Sequence, residues 1–322
     1  MSISRGFDSA RASRREFLLG AAAGLVAAGH ARGADTVTQS AAGFRFVHLA
    51  DIHVQPEQKG AEGFRQCLAH VHALAPRPDF ILTGGDLVMD ALSVSEERAR
   101  ALYDLFVSIC HDSDIPIRHC IGNHEVFGWE SQGRISPRHA LYGKKMAQER
   151  LGLERLCYSF DHKGWHFCIL DDILPREGGY DAGLAAEDLD WLARDLKAAG
   201  DRPKVVCAHI PFVSVAALRD VNGPMTGTVP LPVPKSVRNP GPILRLFREH
   251  RVQLALTGHL HDLETCRYEH TTYIGQGAVS GAWWNGPRNL TVEGYGIIDV
   301  RPDGTFEHRY QSYGWQARPQ KA

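Results

Sequence analysis

Cysteine is sparse and unpatterned: seven residues, at positions 67, 110, 120, 157, 168, 207 and 266, with no C-x-x-C pair. An odd, scattered set argues against a disulfide framework or a zinc ribbon, and Cys168 and Cys207, inside apolar runs, read as small core residues. An excess of either charge is also missing. Lys+Arg is 36 and Asp+Glu is 37, which argues against bulk binding to nucleic acid or an anionic membrane. There is no G-x-S-x-G elbow and no Walker-type glycine loop, so no residue nucleophile is signalled. No internal repeat or compositional break marks a domain boundary.

What is present is an ordinary globular composition, 43% apolar and 23% charged, with enough material for a large core. Residues 1–34 stand apart. Ser13-Arg14-Arg15-Glu16-Phe17-Leu18 resembles a twin-arginine export signal, and Leu18–Gly29 supplies its apolar stretch. That stretch is too short and weakly apolar to span a bilayer comfortably. Small residues near Ala31–Ala34 fit a cleavage site. The resemblance implies passage through the twin-arginine export machinery to a periplasmic or secreted location, with no membrane span after removal. That route resembles one used by proteins exported already folded, often with a cofactor in place, a first hint of a metal.

From residue 42 to 315 a single domain is expected, in which short apolar runs alternate with helical periodicity. Strands are predicted at Phe44–Leu49, Phe80–Thr83, Ile117–Ile121, Trp165–Leu170, Val205–Ala208 and Leu254–Thr257. Helices are predicted at Ala61–Ala75, Val94–His111, Glu187–Ala199 and Pro242–His250. Tyr295–Val300 and Phe306–Tyr310, joined through Pro302-Asp303-Gly304, read as a hairpin. The alternation indicates a layered α/β architecture. Residues 127–152 and 213–240 read as long functional loops. His70 and His72 are expected on a solvated helix face.

The strand ends carry the chemistry. Phe46–Ala50 ends in Asp51-Ile52-His53, Phe80–Thr83 in Gly84-Gly85-Asp86, and Ile117–Ile121 in Gly122-Asn123-His124-Glu125. Val205–Ala208 ends in His209, and Leu254–Thr257 in Gly258-His259-Leu260-His261. Ligands bind outside the carboxyl ends of strands in such sheets, so these residues are expected to converge. Asp, Asn and neutral His suit Mn, Fe or Zn rather than calcium. In D-x-H and H-x-H along an extended segment, residues two apart face one side, and the preceding glycines permit close approach. Seven ligands are too many for one ion, and Asp86 is the best candidate to bridge two through its two oxygens.

The ordered blocks D-x-H, G-D, G-N-H-E, a lone H and G-H-x-H, across Asp51–His261, closely resemble the calcineurin-like metallophosphoesterase superfamily. That resemblance implies an α/β/β/α sandwich with two mixed β-sheets. It implies that Asp51, His53 and His261 bind a first metal, that Asn123, His209 and His259 bind a second, and that Asp86 bridges them. His124 would face the leaving-group oxygen, oriented by Glu125. The expected cofactors are two divalent or trivalent ions (Mn, Fe or Zn). The expected reaction is phosphoester hydrolysis by a metal-bridging hydroxide, on a small phosphodiester. A phosphomonoesterase or pyrophosphatase with the same site, and a non-catalytic exported binding protein on the same scaffold, are the alternatives. Met89 stands where purple acid phosphatases carry a metal-binding tyrosine, which argues against that branch. Layout is closer to class III cyclic-nucleotide phosphodiesterases, although Ala208-His209-Ile210-Pro211 lacks their doubled histidine. Ala282-Trp283-Trp284-Asn285-Gly286 is a candidate wall of the site, and Arg134, Lys144, Lys145 and Arg288 are candidate phosphate contacts.

Overall fold

A computed structural model describes residues 43–132, 134–218 and 234–317. The export segment expected at 1–34 and most of the proline-rich stretch after residue 213 lie outside them. In chain order the elements are β1 (Phe44–Leu49), α1 (Gly60–His72), β2 (Phe80–Thr83), α2 (Glu96–His111), β3 (Ile117–Arg118), α3 (Lys145–Leu151), β4 (Tyr158–His162) and β5 (Trp165–Ile169). Then come β6 (Ile173–Arg176), β7 (Gly179–Ala182), α4 (Ala186–Ala198), β8 (Lys204–Cys207), α5 (Gly241–Glu249), β9 (Leu254–Thr257), β10 (Glu264–Tyr268), β11 (Thr271–Gly275), β12 (Gly294–Val300) and β13 (Phe306–Ser312).

The first sheet has the order β13-β12-β1-β2-β3 and the second β10-β11-β9-β8-β5-β4; β6 and β7 form a separate hairpin. Both large sheets are mixed. β1, β2 and β3 run parallel while β12 is antiparallel to β1. β5, β8, β9 and β11 run parallel, flanked by antiparallel β4 and β10.

Side-chain alternation sets the layers. Phe46, Phe80, Leu82 and Ile298 of the first sheet meet Phe167, Ile169, Val205, Cys207 and Leu256 of the second. The next residues along the same strands, Val47, Leu49, Ile81 and Ile297, face the opposite way, onto Phe64, Leu68 and Val71 of α1 and Leu102, Phe106 and Ile109 of α2. On the far side Cys168, Val206 and Ala255 meet Leu192 and Leu196 of α4 and Ile243 and Phe247 of α5. A strand apolar on both faces is buried on both, and the result is the α/β/β/α sandwich.

Several boundaries differ from expectation. The strand expected over Ile117–Ile121 pairs only at Ile117–Arg118, because residues 119–122 leave the sheet to deliver Asn123. The irregular stretch 127–152 contains α3, whose seven residues bury only Met146 and Ala147 and so show little periodicity. β4 and β10 are half-exposed edge strands with polar positions, which hid them. The hairpin β12–β13 forms as expected, with Gly304 at φ 81° in its turn, and joins the first sheet beside β1. His70 and His72 are half-buried and bonded, to Tyr295 Oη at 2.7 Å and Ser113 Oγ at 2.9 Å.

Candidate metal centre

All eight expected site residues meet at the carboxyl ends of the two sheets. The ligand atoms of Asp51, His53 and His261 lie within 4.8 Å of one another, as do those of Asp86, His209 and His259, and those of His53, Asp86 and His124. Asn123 Oδ1 is 3.2 Å from His209 Nε2. Asp86 sits between the triads, its Oδ2 lying 3.6 Å from His53 Nε2 and 3.2 Å from His209 Nε2. Its Oδ1 instead accepts the His124 backbone N–H at 3.0 Å. A bridge through two oxygens was expected; here a single oxygen, Oδ2, faces both clusters.

The backbone is not extended here. Asp51, His53, Asp86, His259 and His261 have φ of 56°, 45°, 54°, 71° and 57°, in the left-handed region that costs non-glycine residues energy and marks functional sites. Asp51 and His53 therefore converge through tight turns, not through strand alternation. The cross-links that hold those turns run from β1 to β2: Asp51 N–H to Gly85 O at 3.0 Å and His53 N–H to Asp86 O at 2.8 Å. Two glycines admit the carboxylates. A Cβ on Gly122 would sit 2.3 Å from Asp86 Oδ1, and one on Gly258 2.5 Å from Asp51 Oδ2.

Carbonyl oxygens set the imidazole tautomers. His209 Nδ1–H donates to Gly84 O at 2.8 Å, His259 Nε2–H to Pro234 O at 2.9 Å and His261 Nδ1–H to Gly281 O at 2.6 Å. Each bond leaves the other nitrogen facing inwards, the usual outer support of a metal-bound imidazole. Burial pushes His259 down to about 3 and His261 to about 4, and holds His53 well below its usual value, so these rings are neutral. The inward nitrogens then crowd one another and the carboxylate oxygens. His259 Nδ1 is 3.2 Å from His209 Nε2, His53 Nε2 is 3.1 Å from His261 Nε2, and Asp51 Oδ1 is 3.5 Å from His261 Nε2. Burial opposes charge on His209, but Asp86 overrides it and draws this imidazole up to about 10, so positive charge is favoured where the acceptors meet. Mixed N/O donors turned inwards, gathered where positive charge is favoured, fit two transition-metal ions.

Neighbouring groups hold the turns. The Glu125 carboxylate accepts N–H bonds from Asp86, Leu87, Val88 and Gly122 at 2.7–3.0 Å. Its bonds go to the turns flanking His124 rather than to the ring, whose Nδ1 donates to Met89 O. Asp172, fully buried, accepts from the backbone N–H groups of His209 and Ile210. It follows the apolar run of β5, the very signal that marked the ligands. Ser280 Oγ donates to Asp51 O at 2.8 Å and Trp284 Nε1 to His53 O at 2.9 Å.

The candidate phosphate contacts separate. Lys144 bonds Asp171 and the Ile173 carbonyl, Arg134 bonds the carbonyls of Ser131 and Ser93, and Lys145 is exposed on α3. Arg288 alone of the four stands beside the centre. His166, Cys168 and Asp195 also cluster, outside this site, but as a hydrogen-bonded network with Ser159 and Asp161.

Residues 44–263 match the family of calcineurin-like phosphoesterases. No curated protein matches the chain. Among solved structures it resembles a dimetal phosphatase from Danio rerio at 15% identity and a TM-score of 0.56, over 84% of this chain and 100% of that one. It also resembles GAP50, the anchor in the inner membrane complex of Plasmodium, at 16% identity and a TM-score of 0.50, over 85% of each chain. At such identities the likeness is one of fold.

Proposed function

The chain belongs to the calcineurin-like phosphoesterase family, and from that premise we propose that it hydrolyses small phosphodiesters. The family and the paired His/Asp clusters support a metal-dependent hydrolase of phosphoester bonds. In the proposed assignment Asp51, His53 and His261 would hold one ion, Asn123, His209 and His259 the other, and Asp86 would be shared between them. The observation that carries it is the position of Asp86 Oδ2 between two inward-turned triads.

When bound, two such ions supply Lewis-acid stabilisation of a phosphoryl group and acidify water toward neutral pH. The chain's own residues do the rest. Asp51 and Asp86 contribute two negative charges, fewer than two divalent cations carry, so the site attracts an anion. The outer carbonyls of Gly84, Pro234 and Gly281 fix the orientation of three imidazoles. His124 lies at the rim with its side chain 21% exposed and Nε2 3.9 Å from Asp86 Oδ2, which makes it the group able to meet a leaving oxygen. As an imidazolium it gives the Nε2 proton to the departing alkoxide, and Asp86 steadies its charge.

Diester preference is supported by the block order and by Met89 in place of a tyrosine. Arg288, an added cation beside the centre, favours the competing reading, a dianionic monoester. Rates on bis-p-nitrophenyl phosphate and p-nitrophenyl phosphate decide between them with metal-reconstituted protein. Faster turnover of the diester is expected; hydrolysis of the monoester alone overturns the preference. Uptake of two ions without hydrolysis of any phosphoester would establish a binding role instead. Export through the twin-arginine route is proposed from Arg14 and Arg15. Replacing both by Lys is expected to retain the protein inside the cell, and unchanged export ends that proposal.

A further inference from the structure

The loop between β11 and β12 carries two adjacent tryptophans in the left-handed region, Trp283 at φ 52° and Trp284 at φ 71°. For bulky residues this is strained backbone, kept only where the surroundings enforce it. Trp284 is enforced by its setting: 1% exposed, bonded to His53 O, and packed on Gly63, where any Cβ would fall 2.2 Å from its ring. With that anchor in place Trp283 turns toward the metal centre, its ring centroid 5.0 Å from that of His261 and 6.1 Å from that of His53.

Arg288 lies on this tryptophan, its guanidinium carbon 4.9 Å from the ring centroid. Reciprocal backbone bonds between Arg288 and Thr291, at 2.9 and 2.8 Å, pin the residue's position. Its Nε is buried and has no hydrogen-bond partner, and among the described residues no carboxylate pairs with it. A buried guanidinium donor without an acceptor costs stability, and neither the strained loop nor the stacking supplies that acceptor. An anionic oxygen held at the metal centre would.

Resting on the phosphoesterase reading, we propose that Arg288 is a substrate-binding residue that donates to a non-bridging oxygen of the bound phosphoryl group, and that Trp283 is a positioning residue presenting the guanidinium flat against its ring. Arginine suits the task because its planar fork stacks on the indole face while its edge N–H groups bond an oxyanion; lysine does neither as well.

The test is calorimetric binding of inorganic phosphate to the full chain reconstituted with manganese, with metal counted per chain and steady-state rates measured alongside. Losing one charged hydrogen bond predicts that Arg288→Gln weakens phosphate binding about tenfold or more with metal content unchanged. Arg288→Lys should recover part of the loss. Trp283→Leu should weaken phosphate binding and raise KM with little change in kcat, and Trp283→Phe, which keeps a ring face, should restore both. Wild-type affinity in Arg288→Gln overturns the assignment of Arg288 alone. Equal behaviour of Trp283→Leu and Trp283→Phe overturns the positioning role. A wild-type chain that takes up two ions yet neither binds phosphate nor hydrolyses any phosphoester overturns the functional reading and this inference with it.

Discussion

Asp86 divides its carboxylate between two tasks. Oδ1 ties the His124 amide to the turn, and Oδ2 faces both histidine clusters. Asp86→Asn keeps the shape but removes the charge shared by two cations, so loss of both ions and of activity is expected. Two metals per chain in that variant, measured by elemental analysis, would remove the bridging assignment. His124 makes no such contribution to the donor triads of Asp51 and His209, and its ring reaches the rim. His124→Ala should keep both ions and lower kcat by about 10²–10⁴ for substrates with poor leaving groups, the usual scale of general-acid help. Equal loss on good and poor leaving groups would argue against proton donation. Gly258 offers a steric test at the same scale: a methyl there meets Asp51 Oδ2 at 2.5 Å, so Gly258→Ala should release metal more readily, read by competition with a chelator.

At the scale of elements, each site residue sits on a turn that follows a strand, and each turn is held by a neighbour. Glu125 joins the turn after β2 to the turn before Asn123 through four backbone N–H bonds. In Glu125→Gln an amide NH₂ replaces one acceptor and faces two of those donors, at a cost of about 1–3 kcal/mol. A lower denaturation midpoint and reduced metal content are expected, and an unchanged midpoint would show that the turns hold themselves. The D-x-H and G-H-x-H blocks were legible because acids and histidines directly follow apolar runs. Their left-handed conformation was not, since it is held by bonds between distant turns: Asp51 and His53 to the turn after β2, and the His259 amide to the Asp51 carboxylate. Trp283 and Trp284 could not be told apart by composition. Only the fit of one indole against Gly63 sent its neighbour to the site.

Across the whole molecule the centre joins the two sheets, with Asp51, His53, Asp86 and Asn123 following strands of the first and His209, His259 and His261 following strands of the second. Ions bound only by the folded chain stabilise it, by about 2.7 kcal/mol at a free concentration a hundred times Kd. Chelation should therefore lower the melting temperature by several degrees, and an unaltered melt would contradict a centre that spans both sheets. A second global term is pH-dependent. Burial works against charge on His166, yet hydrogen bonds to Asp195 and Asp161 win and raise its value above 6.5. A histidine raised in the folded state adds stability that is full below its unfolded pKa and fades as pH climbs through the folded one. Denaturation of wild type and His166→Gln should differ most near pH 5.5 and converge in alkali, whereas a constant gap would assign the difference to packing.

Apolar runs followed by metal-binding residue types mark the buried strands and the candidate ligands, because burial and donor chemistry are local properties of the chain. Which sheet each strand joins, the return of β12 beside β1, the single bridging oxygen of Asp86, the staple of Glu125 and the placing of Arg288 on Trp283 depend on atoms far apart along the chain. Contacts between distant residues leave no period in a sequence; they exist only once the two sheets have packed and their turns have met.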